Sequence, residues 1–133
     1  MAYWLLKTEP SDYAYEDLER DQKTLWDGVT NNLALKHLRQ IRRGDQALIY
    51  HTGGEKAIVG IAEVLTDPFP DPERGDPRLV VVEVKPKRKL AKPISLAHIK
   101  SDPEIKEFDL VRLPRLSVVP VTEVIWKHLL LFA

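Results

Sequence analysis

The chain has 133 residues, 44% hydrophobic and 30% charged, a composition that fits one globular domain with a real core and excludes a disordered chain. Twenty Lys and Arg balance twenty Asp and Glu, which argues against a protein that holds nucleic acid by unspecific phosphate contacts alone. There is no Cys, so disulfides and thiolate chemistry are excluded, and no stretch approaches the length of a membrane span.

Tyr3 to Lys7 reads as a strand whose end, Thr8-Glu9-Pro10, carries polar groups into a loop. Met1 to Lys7 lacks a basic region and a long apolar run, so a cytoplasmic protein without signal peptide or membrane contact is expected. Tyr13 to Arg20 reads as a short helix with Ser11 or Asp12 near its start. Trp26-Asp27-Gly28-Val29 joins an aromatic ring to a tight turn, and Asn31 or Asn32 caps a second helix running to Arg42. Ala34, Leu38 and Ile41 share one face of that helix and point to a core.

Gly44-Asp45 leads into a strand from Gln46 to His51, which turns at Thr52-Gly53-Gly54-Glu55 into a returning strand from Ala57 to Thr66. The returning strand is apolar on both faces, which predicts a central place or a curled sheet with a helix outside. Asp67 to Pro77 is a proline-rich loop, and Leu79 to Lys85 is the next strand. Lys85, Lys87, Arg88, Lys89 and Lys92 follow without an acid among them, which fits a solvated strand edge better than a nucleic-acid contact. Ser95 and Ser101 cap two short helical turns, and Leu116 to Val119 is a last strand. Thr122 caps a C-terminal helix with Ile125, Leu129 and Phe132 inward and Trp126 in the core. The order predicts an α+β domain over residues 1–133, a small curled sheet or barrel flanked by short helices.

Catalytic motifs are missing. His37, His51, His98 and His128 form no close-spaced ligand pair, and no nucleophile elbow surrounds a serine. Gly53-Gly54-Glu55-Lys56 lacks the spacing of a phosphate-binding loop. No catalytic residue, metal or cofactor is therefore expected. What remains is recognition: rigid elements delivering an aromatic ring and polar groups to a loop mouth.

Six ordered segments sharpen this reading: Tyr3 to Pro10, Trp26 to Val29 with Asn31, Gly44-Asp45, Tyr50-His51, Ile58 to Val64, and Arg115 to Val118. In that order they resemble the EVE domain family from end to end. The resemblance implies a PUA-like fold, a small mixed β-barrel with helices similar to YTH domains, and a non-catalytic reader of modified bases in DNA or RNA. By motif it implies a base pocket of Lys7, Thr8, Glu9, Trp26, Gly28, Val29, Asn31, Tyr50, His51 and Ser117. Phosphate contacts are expected from Lys7, Arg112 and Arg115, and a monomer is expected. The chain departs from the family pattern at Thr30, where Arg is usual, and in its short loop after the Ile-Ala-Glu-Val strand. In the expected mechanism a base stacks on Trp26 and is read at its edge by Asn31, Thr8 or Ser117. A receptor for a small planar nucleoside-like metabolite is the alternative, ahead of an enzyme acting on nucleotides.

Overall fold

The structure, a computed structural model, describes residues 1–105 and 107–133. In chain order its elements are β1 (Tyr3–Thr8), α1 (Tyr15–Asp21), β2 (Thr24–Leu25), α2 (Asn32–Leu38), β3 (Gln46–His51), β4 (Ala57–Val64), β5 (Phe69–Pro70), β6 (Val80–Val81), β7 (Glu83–Ser95), α3 (Leu96–Ser101), α4 (Asp109–Arg112), β8 (Val118–Val121) and α5 (Glu123–Leu130). Six strands form one mixed sheet in the order β2-β7-β4-β3-β1-β8, and β5 pairs with β6 in a separate ribbon. This is the α+β arrangement of a curled sheet with short helices that the element order predicts.

β1 runs parallel to β3 and antiparallel to β8. A parallel neighbour needs a crossover, and α1 and α2 lie in that connection. Leu5 and Leu6 of β1 are fully buried, as are Leu48 of β3 and Ile58 of β4. β4 is buried along nearly its whole length, as its two apolar faces require. Tyr15 of α1 lies across Gly60 of β4, where an added Cβ would stand 2.5 Å from the ring. Its hydroxyl donates to the Ile61 carbonyl at 2.7 Å, so a strand position without a side chain seats the aromatic that closes this side of the core.

A buried carboxylate organises the turn between α2 and β3. Asp45 accepts hydrogen bonds from the Ala2 amide, the Trp4 indole and the Arg42 amide at 2.9, 3.0 and 2.9 Å. Capture of the Arg42 N–H by this side chain takes the chain out of the helical path. The second helix accordingly ends at Leu38 rather than Arg42, although Ile41 still reaches the core.

Other boundaries differ from expectation. Ser101 closes α3 and donates to the His98 carbonyl instead of capping a second turn. The last strand starts at Val118 rather than Leu116. The proline-rich loop contains β5, and the strand predicted over 79–85 divides into β6 and a longer β7.

β7 has 13 residues and bends, because its register against β4 slips twice. Ile58 faces Ile94 while Gly60 faces Lys89, so Leu90 to Pro93 are extra residues in the ladder, with Leu90 turned into the core. β2 covers β7 only at Glu83 and Val84, which leaves Lys85 to Lys92 on an exposed edge. There Lys85 pairs with Glu63 at 3.4 Å and Lys89 with Glu16 at 2.7 Å. The basic run is thus a solvated edge, as the sequence predicts.

Candidate nucleic-acid interface

β1 delivers Lys7 and Thr8 to the end of the sheet, where the limb from α1 to β2 passes. The Thr8 hydroxyl donates to the Tyr13 carbonyl at 2.7 Å, and the Trp26 amide donates to the Val82 carbonyl at 2.8 Å. These two bonds hold open a cleft of about 370 Å³ lined by Lys7, Thr8, Asp12, Tyr13, Thr24, Leu25, Trp26 and Asp27. Its volume is in the range of small-ligand pockets.

Trp26 is only 7% exposed and belongs to the hydrophobic core. The expected open indole platform is therefore corrected: a small part of the residue reaches the cleft, and the rest is packed. Tyr13, half-buried, is the more accessible ring. Its hydroxyl donates to Asp21 at 2.9 Å, and burial pushes its pKa above that of an ordinary tyrosine. Sequence reasoning treats Tyr13 as a helix start and misses this role. The signal lies in Tyr13 and Tyr15 flanking Ala14, one ring for the core and one for the cleft.

Lys7 forms the far wall. Its ammonium donates to the Pro114 carbonyl at 2.8 Å and stands 5.7 Å from the centre of the Tyr50 ring. Burial holds its pKa below that of an ordinary lysine. Beyond Lys7 lies a second cleft of about 300 Å³, lined by Lys7, Tyr50, Thr52, Gly53, Lys56, Leu96, Lys100, Leu110 and Pro114. A third, of about 320 Å³, is lined by Asn31, Leu33, Arg112, Leu113, Pro114, Arg115 and Leu116. Lys7 is shared by the first and second clefts, and Pro114 by the second and third.

The structure thus brings Lys7, Thr8 and Trp26 together, sets Tyr50 with Lys7 next door, and gathers Asn31, Arg112 and Arg115 in the third cleft. Asn31 does not share the Trp26 cleft, because its side-chain oxygen accepts from the Ala34 amide at 3.0 Å as the cap of α2. Glu9, Gly28, Val29, His51 and Ser117 line none of the three clefts. Glu9 accepts from the Ser11 amide and hydroxyl and from the Thr52 hydroxyl, bonds that hold its pKa below the usual carboxylate value. His51 is 3% exposed: its Nε2 accepts from the Tyr15 amide at 3.0 Å and its Nδ1–H donates to Glu55 at 2.7 Å. Such a ring is a brace, not a pocket wall. Val29 is core, and Gly28 adopts φ +79 to turn the chain. The Ser117 carbonyl accepts from the Lys7 amide at 3.0 Å, so Ser117 positions Lys7 through its backbone. Among the described residues, no group of His, Asp and Glu is placed to hold a metal.

Residues 2–131 match the family described as EVE domain. Thymocyte nuclear protein 1 of Rattus norvegicus is 30% identical over 155 residues, which cover 91% of this chain and 69% of the rat protein. That alignment is longer than this chain, so the rat protein carries residues that this one lacks. A protein from Rhodopseudomonas palustris solved by NMR is 38% identical with a TM-score of 0.91, covering 96% of this chain and 90% of its own. The crystal structure of human THYN1 protein in complex with 5-methylcytosine-containing DNA has a TM-score of 0.89 at 27% identity, covering 98% and 96%.

Proposed function

The chain belongs to the EVE domain family, and from that membership we propose that it is a non-catalytic module that binds DNA carrying a modified base. The observation that carries this reading is its close structural likeness to human THYN1 protein bound to 5-methylcytosine-containing DNA. Beside it stands the cleft of about 370 Å³, a size that suits a single base. The base enters between Lys7 and Trp26 and stacks on Tyr13, with the exposed part of Trp26 behind it. Stacking contributes ~1–3 kcal/mol per base and is blind to sequence. Identity is read at the rim, where Asp12 and Asp27 present carboxylates of the kind that accept from the exocyclic amine of cytosine. Arg112 and Arg115 contact phosphate and set position rather than identity.

One methyl adds roughly 0.8 kcal/mol, about fourfold in affinity, so a modified base is not selected by its methyl alone. Selection requires a polar group that is left unpaired when the wrong base enters. The acidic rim also suits a second reading, a receptor for a free nucleoside-like molecule, because two carboxylates oppose a phosphate. Titration of short strands with 5-methylcytosine, cytosine or thymine, as DNA and as RNA, together with the free nucleosides at two salt concentrations, separates the two. A DNA reader favours the 5-methylcytosine strand and weakens as salt rises. Equal affinity for all strands sinks the proposal, and salt-independent binding of the nucleoside alone favours the second reading.

A further inference from the structure

The cleft beyond Lys7 has a lining unlike that of the base cleft. Lys7, Lys56 and Lys100 surround about 300 Å³, and no carboxylate lines it. Among the described residues, none of these three ammonium groups has a carboxylate within ion-pair distance. Lys85, Lys89 and Lys127 are each paired with a glutamate, while Lys23, Lys36, Lys87 and Lys92 also lack such a partner among the described residues. What sets Lys7, Lys56 and Lys100 apart is their gathering at one hollow. Glu9, which touches Gly53, spends its oxygens on Ser11 and Thr52. Three ammonium groups gathered at one hollow with no carboxylate in its lining make a setting that suits an anion.

Lys56 adds an independent observation. Its φ is +47, the left-handed region, which is unfavourable for a residue with a side chain. Its carbonyl accepts from the Leu96 amide at 2.8 Å, which fixes this backbone between the hairpin and α3. Glycine fits that conformation better, so a lysine held there supplies its ammonium at a cost in backbone strain. Lys7, for its part, uses one N–H on Pro114 and has two left, on a wall common to both clefts.

We propose that the Lys7–Lys56–Lys100 cleft is a phosphate subsite that takes the phosphate ester of the nucleotide whose base fills the Trp26 cleft. The minimal ligand is then a nucleotide, not a nucleoside. The inference rests on the base-binding reading and names a contact which that reading does not include. A base and its phosphate are one sugar apart, and the two hollows are one side chain apart. A strand backbone and a free mononucleotide offer the same phosphate chemistry.

The test is calorimetric titration with 5-methyl-2′-deoxycytidine, its 3′- and 5′-monophosphates, and a short single strand holding one 5-methylcytosine. Wild type is compared with the double variant Lys56→Gly/Lys100→Ala. Glycine relaxes the positive φ at position 56, so the variant keeps its fold, and an unchanged melting curve confirms it. One monophosphate is expected to bind about tenfold tighter than the nucleoside, as charge-assisted bonds to an anion do. The double variant removes that gain and leaves nucleoside affinity unchanged. It also flattens the salt slope of the strand by about 0.7 for each phosphate that is no longer neutralised. A strand tighter than either monophosphate identifies the backbone as the source, and equal affinity identifies the free nucleotide. Monophosphates no tighter than the nucleoside, or a gain that survives the double variant, overturn the subsite and leave the base reading in place. Failure of every one of these ligands to bind overturns both.

Discussion

Sequence reasoning makes Trp26 the stacking platform, whereas the structure packs Trp26 into the core and leaves Tyr13 as the more accessible ring at the cleft. Trp26 is core on all but a small part of its surface, so Trp26→Ala is expected to cost about 3–5 kcal/mol and lower the melting temperature by more than about 10 °C. Tyr13 is half-buried at the cleft, and Tyr13→Ala should leave the melting curve within a few degrees while base binding weakens by about 1–3 kcal/mol. Thermal unfolding and titration of the two variants check the division. Base binding untouched by loss of Tyr13 would move the ligand elsewhere. The motif around Trp26 is legible in the sequence, but its exposure is not. Exposure depends on a distant segment, the one around Val82, whose carbonyl receives the Trp26 amide. His51 shows the same limit: its partners, the Tyr15 amide and Glu55, come from α1 and the β3–β4 hairpin, and no spacing in the sequence announces the first.

At the scale of elements, strands with regular alternation and helices with a capping residue are readable, and those with bulges are not. The sequence shows β7 only to Lys85, because two register slips break its period and because Pro86, Pro93 and five cations look like a loop or an edge. α5 is readable from its cap: Thr122 accepts from the Ile125 amide at 3.2 Å, and Trp126 stacks on Tyr3 of β1 at 4.4 Å. The same helix is tied to the end of α3 by His128 and Asp102 at 2.7 Å. The hydrogen bond from His128 holds the Asp102 pKa below the usual carboxylate value. A carboxylate depressed in the folded state stabilises the protein above its ordinary pKa of about 3.9, and that contribution is lost as pH falls through its lower folded value. Asp102→Asn should therefore melt earlier than wild type near neutral pH, with the two melting curves converging in strong acid. A gap that persists at the lowest pH would show that the tie is not electrostatic.

For the molecule as a whole, a net charge of zero hides a partition. Acids rim the Trp26 cleft, lysines surround the cleft beside it, and Arg112 and Arg115 flank the third. Composition alone argues against a polyanion, because a sum over the chain cannot show which side each charge occupies. Arg115→Ala is expected to weaken modified and unmodified strands alike, by less than about tenfold, and to make the salt slope shallower. Binding curves for matched strands at two salt concentrations check this, and a loss confined to the modified strand would assign Arg115 to the base instead. The bent strand β7 has a consequence at this scale. It begins against β2 at the threshold of Trp26 and ends at Ser95, immediately before the helix that bears Lys100. Walls of the two clefts thus hang from one ribbon, like the arms of a caliper. A single residue inserted or deleted at its kinks would reset the gauge between them while every residue lining the clefts stayed the same.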